Sequence, residues 1–367
     1  MPTHMTRGGA APGATYVYVS NGGDGDIGTY TMAGDGRLQA GPRVAAGALV
    51  SPMSVSPDKR FLVAAVRTRP FTAITYAIDR RTGALSPRSK GPLAESLPYI
   101  CVDRTGRYLL GASYGGSLVS VNPIDRNGKV GKPKQVIPTG RHAHAIITDK
   151  SNRFVFVPHL GTDQIFQFRF DARTGALTAN TPPLVQLKAV HGPRHIVVSH
   201  DNRFVYVLTE MTAVVITLAL DRKTGLLTAV SEASALPPGS TLRPGAPRMP
   251  AGQAQAPRDT SNDIWASDLH LTPDGRFLYA AERTGSTLAT FGVDPATGKL
   301  TFLSSARVEK QPRGFRIHPN GKFLVVAGEA SDTISTYAIA PDGGLTLLQK
   351  SPTGQGSTWV EIVSFDR

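Results

Sequence analysis

The chain has 367 residues, of which 40% are hydrophobic and 18% are charged, and its formal net charge is +13. No apolar run approaches the ~20 residues of a membrane-spanning helix, and the 40 Lys and Arg residues form no basic run of the kind that binds nucleic acid. We therefore expect no membrane or nucleic-acid partner, and the charge favours a small anionic one.

The first residues and the single cysteine bear on where the protein is located. Residues 1–14 contain no apolar segment of the secretory type, and we expect them to form a flexible tail. Cys101 stands in an apolar stretch and is expected to be a buried structural thiol. One cysteine excludes an intrachain disulfide and is compatible with a reducing compartment. We predict a cytoplasmic protein that is a monomer or a weak homo-oligomer.

The predicted strands recur along the chain with a regular turn before them. The first strand-like run is Thr15–Ser20. Each later copy has a polar turn, then Arg or Lys, then an aromatic residue that opens a β-type run, and these aromatics are Phe61, Tyr108, Phe154, Phe204, Phe277 and Phe323. From Thr15 the steps are 46, 47, 46, 50, 73 and 46 residues. Such a period is typical of propeller blades.

A second turn repeats in the same phase. The pattern Asp-x-x-Thr-Gly-x-Leu occurs at 79–85, 171–177, 221–227 and 294–300. Asp and Gly are hairpin-turn residues, and the runs between turns are rich in Val, Ile, Phe and Tyr. Each unit is therefore predicted to contain four antiparallel strands, A to D. The sequence predicts an all-β, seven-bladed β-propeller.

The ends and one long step complete the predicted domain, which covers residues 15–367. The first unit lacks strand A, and the segment Gly356–Phe365 looks like a lone strand A. We expect it to pair into the N-terminal blade and close the ring. The 73-residue step contains a Pro/Gly-rich insertion at about 232–263, which is either a disordered surface loop or a lid over the channel.

Polar residues are predicted to meet at one opening of this ring, where strand A begins and strand B ends. Ten residues before each strand-B aromatic, strand A carries Ser51, Pro98, His144, Arg194, Ser267 and Arg313. Six residues after the same reference, the loop carries Asn21, Arg67, Tyr114, Leu160, Glu210, Arg283 and Glu329. Arginine suits carboxylate or phosphate, and Glu or His can move protons near neutral pH. An anion-binding, acid–base site is expected here.

Several of these residues also have purely structural interpretations. His142 and His144 stand two apart on a predicted strand and could bind a metal, but no matching acidic or histidine cluster accompanies them, so we expect no metal and no cofactor. Arg194 and Arg313 each follow a proline and could simply pack between blades. His195 alternates with Arg194 and is expected to face the blade interior.

The remaining candidates are carboxylates and one further histidine. Asp268 and His270 could be a structural hydrogen-bonded pair. Glu210 stands where most blades have no acid, which makes it the first choice for a general base, ahead of Glu282 and Glu329. The predicted catalytic residues are Glu210, His144, Arg194 and Arg283, and the predicted substrate contacts are Arg313, Arg67, His142, His195, Asp268 and His270.

The strings SPDKRFL, GPRH, YVLTEM, DLHLTPDGRFLYAAERT, QPRGF and GxGSTWV, in this order, resemble the 6-phosphogluconolactonase-like lactonase family of seven-bladed propellers. The similarity covers nearly the whole chain from Thr15. That family includes fungal carboxymuconate-lactonizing enzymes, whose proposed His, two Arg and Glu correspond by this resemblance to His144, Arg194, Arg283 and Glu210. The resemblance implies a lactone hydrolase without an established metal requirement.

The predicted function is hydrolysis of an anionic sugar-acid lactone, phosphorylated or carboxylated, such as 6-phosphogluconolactone. Water would attack the carbonyl with Glu210 or His144 as general base. One alternative is a lactonizing enzyme or isomerase that uses the same residues on a carboxylated ring compound. Another is a non-catalytic binding platform, because propellers host many non-enzymes. Polar residues concentrated at one channel mouth favour a small-molecule site.

Overall fold

The computed structural model describes residues 13–249 and 258–365 of the chain. Twenty-eight strands form seven four-stranded antiparallel sheets, and the predicted seven-bladed propeller is confirmed. In the part of the chain that is described, no helix is long and apolar enough to cross a membrane. Of the predicted flexible tail, residues 1–12 lie outside the described residues.

Each blade runs from an inner strand A to an outer strand D. Blade 1 contains β28 (Ser357–Ser364), β1 (Thr15–Asn21), β2 (Asp26–Met32) and β3 (Leu38–Ala45); blade 2 contains β4 (Val50–Val55), β5 (Phe61–Val66), β6 (Thr72–Ile78) and β7 (Leu85–Pro92); blade 3 contains β8 (Tyr99–Val102), β9 (Tyr108–Ser113), β10 (Leu118–Pro123) and β11 (Gln135–Pro138). Blade 4 contains β12 (Ile147–Thr148), β13 (Phe154–His159), β14 (Gln164–Asp171) and β15 (Ala176–Gln186); blade 5 contains β16 (Pro193–Val198), β17 (Phe204–Thr209), β18 (Val214–Leu220) and β19 (Leu227–Ser234). Blade 6 contains β20 (Ala266–Leu271), β21 (Phe277–Glu282), β22 (Thr287–Val293) and β23 (Leu300–Arg307); blade 7 contains β24 (Pro312–Ile317), β25 (Phe323–Gly328), β26 (Thr333–Ile339) and β27 (Leu345–Pro352).

The C-terminal strand closes the ring. Strand β28 pairs antiparallel with β1, with Val19 opposite Val360 and Thr15 opposite Ser364. The amide of Phe365 donates a 2.8 Å hydrogen bond to the carbonyl of Ala14, which extends the pairing by one more residue. The predicted closure is thus confirmed, because β28 supplies the strand A that the N-terminal part of blade 1 lacks.

The apolar core is divided among the blade interfaces. Buried apolar side chains form seven clusters, each shared by two neighbouring blades. Inner strands of neighbouring blades also pack together, as β28 does with β4 and β24. The inner strands therefore surround a central channel. The polar or charged character of that channel depends on the inner-strand side chains that point into it, and not on the apolar core between the blades.

The two sequence repeats meet at every blade interface. The Arg-aromatic pair that opens strand B contacts the glycine of the Asp-x-x-Thr-Gly turn in the next blade. At one interface Arg153 lies over the Phe154 ring and donates to the carbonyl of Arg222 at 2.7 Å, while Gly225 covers that ring. Gly225 has a φ of 76°, and a Cβ there would come within 3.0 Å of the ring. A glycine is therefore required on both counts.

We call this glycine–aromatic contact the latch. It is present at all seven interfaces, and the other six pairs are Gly36 with Phe323, Gly83 with Tyr16, Gly128 with Phe61, Gly175 with Tyr108, Gly298 with Phe204 and Gly343 with Phe277. The repeated motifs in the sequence are thus explained by contacts between blades, at the end of each blade where strand A turns into strand B. The predicted catalytic residues lie at the opposite end.

Candidate active site

The inner strands are irregular where the candidate residues stand. The pairing of β16 with β17 shifts register between Pro193 and His195, and β4, β20 and β24 show equivalent shifts near their starts. A bulge of this kind breaks the strict alternation of side chains. Arg194 contacts Glu210, whereas His195 contacts Asp268 of the neighbouring inner strand and the rings of Tyr99 and Trp359 in the channel. The expectation that His195 faces the blade interior is therefore wrong.

Glu210 follows β17 and is held by three donors. Arg194 Nε donates to Oε2 at 2.6 Å and Arg283 Nη2 lies 3.0 Å from the same oxygen. The indole Nε1 of Trp265 donates to Oε1 at 3.0 Å. Burial raises the pKa of the Glu210 carboxyl, but Arg283, Arg194 and Arg313 together outweigh it and lower the pKa below its usual value. The carboxylate is thus kept ionised.

The two arginines that hold Glu210 are themselves almost fully enclosed, with 2% of each side chain exposed. Arg194 Nη1 also donates to the carbonyl of Ser267. Arg283 lies over the Trp265 ring and donates through Nε to the Trp265 carbonyl at 2.9 Å and through Nη2 to Ala266 at 3.1 Å. Burial lowers the pKa of both guanidinium groups, and Glu210 opposes that effect.

His144 lies beside this charged cluster without an orienting carboxylate. Its ring contacts the rings of Tyr114 and His195, with centroids 5.8 Å and 5.3 Å away. Its Nδ1 is buried and has no hydrogen-bond partner among the described residues. Burial, followed by the positive charges of Arg194 and other nearby groups, lowers the pKa of His144 well below its usual value. The imidazole is therefore neutral at pH 7.

The prediction that His142 and His144 stand two apart on one strand is wrong. The inner strand of blade 4 is only Ile147–Thr148, and His142 has a φ of 61°. Its ring stacks on Tyr114 at 4.1 Å, and its Nδ1 is 3.0 Å from the Tyr114 carbonyl. In the described part of the chain, no group of three or more His, Cys, Asp and Glu side chains is placed to hold a metal ion.

His195, Asp268 and His270 form a second polar group deeper in the channel. Asp268 Oδ1 is 2.8 Å from His195 Nδ1, and Oδ2 is 3.2 Å from His270 Nε2. The amide of Phe315 also donates to Asp268 Oδ2, at 3.2 Å. Burial raises the pKa of Asp268, but the two histidines lower it more strongly. Burial, then Arg194, lowers the pKa of His195 to about 4.

The rim of the mouth carries two further arginines. Arg313 Nη1 pairs with Glu329 Oε1 at 2.6 Å, and both side chains remain about one quarter exposed. Arg67 donates through Nε to the Ser96 hydroxyl at 3.2 Å. Burial and the nearby charge of Arg313 lower the pKa of Arg67 to about 10. A guanidinium destabilised in this way favours the binding of an anion.

The described part of the insertion packs over the same mouth. Gly245 donates to the Met211 carbonyl at 2.9 Å, next to Glu210. The Arg248 guanidinium stacks on the Trp265 ring, and the Arg248 carbonyl accepts a 2.7 Å hydrogen bond from the Tyr114 hydroxyl in blade 3. These contacts reach from blade 6 across to blade 3. Residues 250–257 of the predicted insertion lie outside the described residues.

The structure brings together the predicted catalytic set His144, Arg194, Glu210 and Arg283, with Arg313 and Arg67 at the rim. Two residues were not among the candidates. Trp265 clamps Glu210, and Arg248 caps Trp265. Trp265 could have been selected from the sequence, because it is one of only two tryptophans and stands just before β20. Nothing in the sequence distinguishes Arg248 from the other arginines. Glu282 accepts the amides of Trp265, Thr284 and Gly285, so it holds the turn rather than facing the mouth.

Comparisons with known proteins agree with this architecture and with the resemblance inferred from the sequence. The model of the family "Lactonase, 7-bladed beta-propeller" matches residues 13–362. A 6-phosphogluconolactonase of Serratia proteamaculans is 33% identical over 349 residues, covering 95% of this chain and 98% of that protein. One of Erwinia tasmaniensis is 34% identical over 351 residues, covering 95% and 99%. The solved periplasmic gluconolactonase of Pseudomonas aeruginosa has a TM-score of 0.81 and 28% identity, covering 95% and 99%. The chain belongs to the seven-bladed β-propeller lactonase family.

Proposed function

We propose that this protein hydrolyses an anionic sugar-acid lactone, such as 6-phosphogluconolactone, at the mouth formed by His144, Arg194, Glu210 and Arg283. The names of the curated relatives support the substrate class, since they are 6-phosphogluconolactonases. A cytoplasmic location remains part of this proposal.

The observation that carries the proposal is the charge of the mouth. Its five arginines face two glutamates, Glu210 and Glu329, and they are Arg67, Arg194, Arg248, Arg283 and Arg313. Three positive charges therefore stay uncompensated at this mouth, which favours a ligand with a carboxylate or phosphate group. Arg67 and Arg313 are more exposed than Arg194 and Arg283 and are assigned to the anionic group of the substrate.

The general base in this proposal is His144 rather than Glu210. The three donors on Glu210 stabilise its ionised form, so the carboxylate is a poor proton acceptor and serves to position Arg194 and Arg283. His144 is neutral, and its depressed pKa is caused in part by the surrounding arginines. An anionic substrate would offset those charges and raise the basicity of His144 when it is needed.

Hydrolysis then proceeds by two proton transfers. His144 takes a proton from water while the water oxygen bonds to the lactone carbonyl carbon, and the positive potential of Arg194 and Arg283 stabilises the oxyanion. The bond between that carbon and the ring oxygen breaks, and the ring oxygen receives the proton from His144. The product is an open-chain hydroxy acid, whose carboxyl group ionises at neutral pH. No metal is assigned a role.

The test compares the hydrolysis of 6-phosphogluconolactone with that of unphosphorylated gluconolactone by the purified protein, after subtraction of spontaneous hydrolysis. We expect kcat/KM to be about 100-fold higher for the phosphorylated lactone, and dialysis against EDTA to leave both rates unchanged. Hydrolysis of neither lactone above background would contradict the proposal. A rate that EDTA abolishes would contradict the metal-independent mechanism.

A further inference from the structure

A second cavity, of about 420 Å³, lies at the latch end of the channel. Side chains from the inner strands of all seven blades line it. Its inner boundary is an aromatic layer in which Tyr99, His195 and Trp359 contact one another with ring centroids 5.2 Å to 6.0 Å apart. His195 lines this lower cavity and also contacts the His144 ring. The layer therefore lies between the lower cavity and the candidate active site.

The two carboxylates of the lower cavity are already compensated. Asp268 is bonded to His195 and His270, as described above. Glu361 Oε1 accepts from Arg316 Nη2 at 2.5 Å and from the Trp359 indole at 2.9 Å. Both acids therefore have donors that belong to the cavity wall. They are not available to neutralise any other cation that lines it.

Two cations remain at the entrance, Arg104 and Lys150. They occupy equivalent places in the A-to-B turns of blades 3 and 4, and Arg104 Nε donates to the Asp149 carbonyl at 2.7 Å. Among the described residues, neither forms an ion pair with a carboxylate. Burial, followed by the charge of Arg104, lowers the pKa of Lys150 to about 8. Holding these two charges together is unfavourable until an anion joins them.

The turns fix both cations in place. Asn152 accepts the amide of Arg104 at 3.1 Å and donates to Asp103 at 2.9 Å. Asn202 does the same for Lys150 and Asp149, at 2.9 Å and 2.7 Å. Each turn is thereby bonded to the turn of the next blade. The backbone positions of Arg104 and Lys150 are set by this network rather than by a loop without contacts.

We propose that the lower cavity is a second binding site, for a small organic molecule that carries a phosphate-like dianion. Arg104 and Lys150 bind the dianion, because two adjacent cations match its two charges. The rest of the molecule lies in the cavity against Tyr99 and Trp359. This site is separate from the lactonase mouth and does not depend on the function proposed for it.

Sulfate is the probe, because it stays dianionic from pH 6 to 10. Isothermal titration of the full-length protein is expected to show sulfate binding that weakens above pH 8 as Lys150 loses its proton. The other titratable or charged groups that face this cavity are Tyr99, Cys101, Arg104, His195, Asp268, His270, Arg316 and Glu361. Lys150→Met should weaken binding about tenfold or more and remove its pH dependence.

Lys59→Met is the matched control. Lys59 stands in the equivalent A-to-B turn of blade 2, but its ammonium donates to the Ser364 carbonyl at 2.6 Å and does not line the cavity. It should bind sulfate like the wild type. Arg313→Met, which removes a cation assigned to the anionic group at the other mouth, should leave the Lys150-dependent sulfate binding unchanged. The proposal is overturned if Lys150→Met binds sulfate as the wild type does, or if Arg313→Met alone abolishes binding.

Discussion

The two ends of the propeller use their charged side chains differently. At the latch end, the Arg before the strand-B aromatic donates to a backbone carbonyl of the next blade in five blades, as Arg153 does beside Phe154 and Gly225. At the mouth, equivalent positions carry different residues, such as His144, Arg194 and Ser267. Repetition therefore marks the contacts that hold the ring together, and departure from repetition marks the chemistry. Substitutions at the two ends should separate stability from activity.

Glu210→Gln should have the largest effect and should affect both properties. It removes the charge that compensates Arg194 and Arg283, so we expect a loss of about 3 kcal/mol of unfolding free energy and a fall in kcat of about 100-fold. Urea unfolding and lactone hydrolysis measure the two. A variant that loses activity but keeps full stability would instead favour Glu210 as the general base.

Gly225→Ala tests the latch end. The alanine must adopt a φ of 76° and place its Cβ against the Phe154 ring, so we expect destabilisation by about 3 kcal/mol. Gly275→Ala is the control, since Gly275 has a φ of 73° but its Cβ would meet only His200 at 3.9 Å, and about 1 kcal/mol is expected. Both variants should keep the wild-type kcat where they are folded. Equal destabilisation would argue against the ring contact.

Arg313→Met tests whether the arginines at the rim bind the phosphate group of the substrate. Since Arg313 is part of the exposed pair assigned to the anionic group, KM for 6-phosphogluconolactone should rise about tenfold while KM for gluconolactone stays unchanged. Steady-state kinetics on both lactones measures the difference. An equal change for the two substrates would show that Arg313 does not bind the phosphate.

The pH profile should reflect the depressed pKa of His144. A base must be deprotonated to act, and His144 loses its proton more easily than an ordinary histidine, whose pKa is 6.5. The acidic limb of kcat/KM is therefore expected below pH 6.5, and Arg313→Met should move it to higher pH because one positive charge is removed. A limb at or above 6.5 in the wild type would contradict the assigned environment.

The ring, its closure and the approximate set of mouth residues could be predicted from the sequence, because each depends on a repeat of fixed period. The Asp-x-x-Thr-Gly turn predicts a hairpin, but its contact with the Arg-aromatic pair of the neighbouring blade is long-range, so the latch emerges only in the fold. Arg194 and Glu210 could be located by counting from Phe204, because equivalent positions in the repeated blades stand at the same distance from the strand-B aromatic.

The direction of individual side chains could not be predicted. A bulge between Pro193 and His195 turns His195 into the channel, and strand alternation gives no sign of it. Whether Glu210 is a base or a positioning residue depends on the indole of Trp265 and on two arginines from different blades. His142 departs from the strand because its φ is positive, a conformation that is uncommon in residues other than glycine and that strand alternation does not predict.

The most direct test of the site is the hydrolysis of 6-phosphogluconolactone by His144→Asn, with His142→Asn as the control. His144 is assigned the proton transfer, whereas His142 stacks on Tyr114 beside it. We predict that His144→Asn lowers kcat by about 100-fold or more with an unchanged free energy of unfolding, and that His142→Asn stays within a few-fold of the wild type. A His144→Asn enzyme with a near-wild-type kcat would contradict the account.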